Sequence, residues 1–253
     1  TSFIFKEFFD RTIDTKKYES RSSQNFIDNS VRENYLFNST INGIEESDLI
    51  LLIGTNPRFE ATMVNARIRK AFKNNTKIYS IGNPGDLTYD YEIIGEESEE
   101  LKNIFENKSK FNEKILSSKK PIIIIGESTL ELKSGKFIFE EFKNFLKEKN
   151  FISEKWNALN ILPQNSSTVG SIDLKLMNYN KDNNFVFFDN LEKKNFKILY
   201  LLGSDNLEFK KDNEFIIYQG SHGDKGAEIA DIILPGAAYT EQSGHFTNLE
   251  GRI

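Results

Sequence analysis

Apolar and polar residues alternate along this chain in blocks rather than one by one. Residues 47–54 (SDLILLIG), 77–82 (KIYSIG), 121–126 (PIIIIG), 197–203 (KILYLLG), 215–219 (FIIYQ) and 229–234 (IADIIL) are short, nearly continuous apolar runs. Runs of this length predict strands buried on both sides of a parallel sheet. We expect such strands at residues 49–53, 78–81, 122–125, 198–202 and 215–218, with 229–234 the last. Between the first two the period changes. Val64, Ile68, Ala71 and Phe72 share one face at helical spacing. This predicts a helix over residues 60–73, with Glu60 in its first turn and Arg67, Arg69, Lys70 and Lys73 toward its end, as the helix dipole favours. Ile138, Phe142, Phe145 and Leu146 form a second stripe. Residues 97–118 read as a polar helical stretch, and 157–172 as a turn and a short helix. This alternation predicts an α/β, doubly wound fold of Rossmann-like parallel sheets with helices on both faces. Residues 1–43 are polar and irregular and read as an extended N-terminal arm. Residues 44–253 read as the α/β domain, in two Rossmann-like parts of about 44–175 and 176–253.

Composition narrows the chemistry. The 253 residues carry a net charge of -5, a poor match for nucleic acid or anionic lipid. The apolar runs are far too short to span a bilayer, so direct membrane insertion is not expected. Cysteine is absent, which removes disulfides, thiolate catalysis and cysteine-ligated clusters. The two histidines, His222 and His245, are far apart in sequence, and no metal site is expected. Phe, Ile, Asn and Lys dominate, a bias of AT-rich codons. Six of the 15 glycines nevertheless lie in residues 220–251, along with Ala227, Ala230, Ala237 and Ala238. That clustering predicts a largely buried, closely packed segment over 220–250, in which Gly236→Val should destabilise.

Three loops stand where a parallel sheet places its ligands. Gly54, Thr55, Asn56 and Pro57 follow a strand and precede a helix, where free N–H groups suit an anion; the simpler reading is a turn with an asparagine cap. Gly203, Ser204 and Asp205 repeat the arrangement. Gly220, His222, Gly223 and Asp224 belong to GSHGDKG, whose glycine spacing suits a loop passing close to a ligand or another backbone. Other motifs fail: no GxGxxG follows a strand, SGK at 134–136 lacks the upstream glycine of a phosphate loop, and GxSxG does not occur.

Longer phrases carry a resemblance. Residues 34–70 (NYLFNSTINGIEESDLILLIGTNPRFEATMVNARIRK), 86–91 (DLTYDY), 156–174 (WNALNILPQNSSTVGSIDL) and 215–252 (FIIYQGSHGDKGAEIADIILPGAAYTEQSGHFTNLEGR) resemble the C-terminal part of the large iron–sulfur subunits of respiratory complex I. Between about 95 and 151 the match is only in pattern. The wider family is the molybdopterin oxidoreductases. In its active members, loops like the three above hold a bis-pterin cofactor, so the resemblance places them at an ancestral cofactor cleft. The complex I relatives are understood to have lost that cofactor.

The resemblance implies a scaffold of the peripheral arm of NADH:ubiquinone oxidoreductase, with no active site and no cofactor in this chain. Iron–sulfur clusters are then expected in a partner, or in an N-terminal part outside this sequence, and the other peripheral-arm subunits are the expected partners. The implied location is the matrix side of the mitochondrial inner membrane, or the cytoplasmic side of a bacterial membrane. A fragment or one product of a split gene fits these features. The alternatives are a fragment of a molybdopterin-dependent oxidoreductase, such as a formate dehydrogenase, and a nucleotide-binding module that reuses the old cleft.

Overall fold

The computed structural model describes residues 1–177, 186–205, 207, 209–223 and 225–253. The chain opens with helix α1 (Ser2–Phe8), continued by a π-helical turn at Phe9–Ile13. Then follow β1 (Leu49–Ile53), α2 (Pro57–Glu60), α3 (Thr62–Lys73), β2 (Lys77–Ile81), β3 (Glu92–Gly95), α4 (Ser98–Phe105), α5 (Phe111–Ser117) and β4 (Pro121–Gly126). Next come α6 (Glu127–Glu131), α7 (Gly135–Glu148), β5 (Leu159–Leu162) and α8 (Thr168–Asp173). The chain closes with α9 (Phe187–Glu192), β6 (Ile198–Leu202), β7 (Phe215–Gly220), α10 (Lys225–Glu228) and β8 (Ile232–Pro235). There are two compact units: Asn25–Gly170 with Thr247–Ile253, and Thr1–Gln24 with Ser171–Phe246.

The first unit holds a parallel sheet in the order β3-β2-β1-β4-β5. All five residues of β1 are buried, because alternate side chains enter two different cores. Leu51, Ile53, Ile123 and Ile125 face α4, α5 and α7, packing with Leu101, Ile104, Phe111, Ile138 and Phe142. Ile50, Leu52, Ile122 and Ile124 face α3, meeting Val64, Ile68 and Ala71. Each fully buried Leu or Ile contributes roughly 1.5–3 kcal/mol of transfer free energy. Burial on both faces is why these strands read as unbroken apolar runs.

The expected helix over 60–73 begins later, at Thr62. Glu60 ends α2 instead, its carboxylate accepting from the Thr55 hydroxyl and the Asn56 N–H, and Ala61 is extended (φ -152°) between the two helices. The turn and helix expected at 157–172 conceal β5, a buried strand whose apolar run is interrupted by Asn160. The edge strand β3 had no apolar run to announce it.

The second unit holds a three-stranded parallel sheet in the order β6-β7-β8. Its core gathers Leu191, Leu199, Leu201, Ile216 and Tyr218. Two expectations are corrected here. The extended arm over 1–43 is helical at its start. Phe5 and Phe9 stack on each other, centroids 4.4 Å apart, and on Tyr200 at 5.3 and 6.1 Å. Residues 25–43 belong to the other unit, with Ile27, Tyr35 and Phe37 buried there. The polar stretch 12–30 hides both attachments from a reading of composition. Residues 220–250 are mostly exposed rather than buried. Among the described residues β8 is an edge strand with β7 as its one ladder partner, and Ile232, Ile233 and Leu234 are exposed. Gly236 is not tightly approached either: a Cβ there meets Gly220 at 3.4 Å, an ordinary contact.

Candidate functional site

Strand order reverses at β1: β2 and β3 lie to one side, β4 and β5 to the other. In such sheets ligands bind outside the carboxyl ends of the strands at this switch point. A cavity of about 290 Å³ lies there, lined by Gly54, Thr55, Asn56 and Glu60 after β1, by residues 80–84 at and beyond the end of β2, and by Ser128 after β4. It is small for a small-molecule site.

Close packing shapes its floor. Gly54 is left-handed (φ +52°), and a Cβ on it would lie 2.1 Å from the Thr129 hydroxyl oxygen. A Cβ on Gly126 would lie 2.3 Å from the Gly54 carbonyl oxygen. Asn56 caps α2: its side-chain oxygen accepts from the Arg58 N–H at 3.1 Å, its amide donates to the Pro84 carbonyl at 2.6 Å, and Pro57 starts the helix.

Four donors of this cavity, three hydroxyls and one N–H, are spent within the protein. The Thr55 hydroxyl and Asn56 N–H go to Glu60. The Ser80 hydroxyl donates to the Gly82 carbonyl and the Ser128 hydroxyl to the Gly54 carbonyl. Arg58 is paired with Asp86, whose carboxyl is held below its ordinary range by the Thr88 N–H first and by Arg58 second. Beside Ser128, Glu127 is buried; burial pushes its carboxyl above the usual range, against the Gln164 N–H that donates to it at 2.7 Å and the Asn25 amide.

The lining therefore presents a carboxylate, and no lysine or arginine among its described residues. An anionic pterin nucleotide needs free N–H groups or cations at this place. The Glu60 carboxylate and the inward-turned hydroxyls of the lining do not fit one. Among the described residues no group of three or more His, Cys, Asp or Glu is placed to hold a metal ion.

The other two loops meet in the second unit, at the carboxyl ends of β6 and β7. The buried Tyr218 hydroxyl, 1 % exposed, shares its proton between the Asp205 carboxylate (2.6 Å) and the His222 carbonyl (2.7 Å). Gly203 is left-handed and donates its N–H to Gln219. Gly220 and Gly226 flank the Tyr218 ring; a Cβ at 226 would lie 2.8 Å from it. The His222 side chain is exposed, with Nδ1 2.9 Å from the Ser221 hydroxyl, and Gly223 faces open space. Asp224 lies outside the described residues. The structure thus joins 203–205 to 220–223, while the cavity at 54–57 is built from strands of the first unit alone.

The sequence did not single out Glu127, Ser128 or Tyr218. Tyr218 carried a faint signal: a polar tip inside the apolar run FIIYQ, immediately before a glycine-rich loop.

Parallel sheets with helices on both faces of the larger one, and a cleft at its carboxyl edge, define a doubly wound α/β protein. Residues 1–253 match the family model of molybdopterin oxidoreductase, and the chain belongs to that family. It is 42% identical to the NADH-ubiquinone oxidoreductase 75 kDa subunit of Reclinomonas americana, over 88% of this chain and 32% of that protein. It is also 42% identical to the mitochondrial NADH-ubiquinone oxidoreductase 78 kDa subunit of Candida albicans (88% and 30%). Against an NADH-quinone oxidoreductase subunit of Rickettsia bellii the identity is 38%, over 99% and 35%. The chain spans about a third of the length of these relatives.

Proposed function

We propose that this chain is a non-catalytic scaffold in the peripheral arm of NADH:ubiquinone oxidoreductase, supporting electron transfer carried out by partner subunits. The observation that carries the reading is the cavity at the switch point. Its hydroxyls are turned inward and a carboxylate stands where an anionic cofactor would need a cation. The names of the relatives supply the assembly. On this reading the chain holds no cofactor, and the iron–sulfur clusters sit on a cysteine-bearing partner or on another part of the same protein. The assembly lies against the mitochondrial inner membrane on its matrix side, or against the cytoplasmic side of a bacterial membrane. Among the described residues no helix is long and apolar enough to cross a membrane, consistent with a peripheral place.

Affinity purification of the chain from its native membranes tests this. The expected result is co-purification of cluster-bearing subunits, with NADH oxidation by the assembly and molybdenum and tungsten at background. Stoichiometric molybdenum or tungsten would favour a molybdopterin-dependent oxidoreductase, such as a formate dehydrogenase, and overturn the scaffold reading.

A further inference from the structure

Two large apolar side chains close in sequence to Glu60, which lines the cavity of the five-stranded unit, stand exposed. Phe59 is 79 % and Met63 69 % exposed, one residue before and three residues after Glu60. Exposed apolar groups next to a concave polar site are what a protein partner covers, whereas a free cation would leave them wet.

The cavity itself is an acceptor. Each Glu60 oxygen takes one hydrogen bond from within the protein, and a carboxylate oxygen has capacity for a second. The hydroxyl protons of Ser80 and Ser128 point at backbone carbonyls, so they offer nothing to an anion. The nearest cation, Arg58, is committed to Asp86 and lies 5.9 Å from the Phe59 ring centroid. Glu127, behind Ser128, is buried, and burial first, with the charges of Glu131 and then Glu60, disfavours its ionisation. A positive group is the missing complement.

We propose that this cavity receives a lysine or arginine side chain from a partner polypeptide, whose neighbouring apolar residues cover Phe59 and Met63. Guanidinium suits it best, because its planar fork can reach Glu60 and a carbonyl of the rim together. The inference rests on the reading of the chain as one subunit of an assembly.

The test is photo-cross-linking in the intact, purified assembly, with p-benzoylphenylalanine in place of Phe59. The expected adduct is a protein segment carrying Lys or Arg within a few residues of the link. Glu60→Gln should lower its yield roughly tenfold, as loss of one charge-assisted hydrogen bond requires. A thermal melt checks that this variant folds. If it does not, Met63→Ser, at an exposed position, must weaken the same adduct instead. A segment without a cation, an adduct with lipid alone, no adduct, or a yield indifferent to both variants would overturn the proposal. An assembly that cross-links as expected but oxidises no NADH would overturn the wider reading and leave the socket standing.

Discussion

At the scale of single residues, the floor of the cavity depends on two glycines in mutual contact. Gly126→Ala would drive a methyl group into the Gly54 carbonyl, and backbone cannot yield as a flexible side chain does. We expect a loss of about 1–3 kcal/mol in urea unfolding. Gly236→Ala, with only ordinary contacts, should stay within roughly 0.5 kcal/mol. Equal effects at the two positions would show that contact distance is the wrong guide. Glu127 makes a prediction about pH. Burial raises its carboxyl, so the folded state holds the proton more tightly than the unfolded chain does. Its favourable contribution is complete below the ordinary carboxylate pKa and is lost as pH rises through the raised value. Relative to Glu127→Gln, the natural protein should gain stability as pH falls from neutral toward about 4. A difference between the two that does not change with pH would refute this.

At the scale of elements, the buried Asn160 on β5 ties the N-terminal segment to the sheet. Its oxygen accepts from the Ser39 N–H at 2.8 Å, and its amide donates to the Ser39 hydroxyl and the Ala158 carbonyl, both at 2.9 Å. Asn160→Ala leaves the buried Ser39 N–H without its acceptor, while the Ser39 hydroxyl keeps the Asn157 carbonyl and the Ala158 carbonyl keeps the Ile123 N–H. The cost should be about 2–3 kcal/mol, with faster amide hydrogen exchange around Ser39. Unchanged exchange there would mean that the buried Phe37 and the neighbouring Leu36, Asn38 and Ser39 hydrogen bonds to residues 157–161 hold the segment without Asn160. The sequence made β1, β2 and β4 legible, since a strand buried on both faces is written almost wholly in apolar residues; β6 and β7 carry similar apolar runs but bury one face well and the other only in part, against the expectation of burial on both sides. β5 was not legible, because its central residue is polar and its partner, Ser39, lies 121 positions away.

At the scale of the molecule, the second unit leaves an apolar edge uncovered. Ile232, Ile233 and Leu234 are exposed on β8, a strand with one neighbour. Such an edge is a template for association with other strands. Ile233→Lys, at a position 56 % exposed, should change folding stability little while reducing aggregation of the isolated chain, read by light scattering. Aggregation that is unaffected would place the association elsewhere. The loops are also decided at this scale. Tyr218 draws 203–205 and 220–223 to one hydroxyl, a convergence set by the parallel pairing of β6 with β7.

Local patterning was enough for the fold class and for the positions of most strands, since burial on two faces or one leaves its period in the order of residues. The family was carried by long phrases, and GTNP was placed correctly at the end of a strand. The polarity of the cavity was decided by tertiary structure. Glu60 folds back onto Thr55 and Asn56, and the Ser80 and Ser128 hydroxyls turn to carbonyls, contacts that the motif GTNP by itself does not record. Tertiary structure also decided that the glycines and alanines of 220–250 stand largely at a surface: exposure depends on how many strands flank β8, and no local pattern records that number.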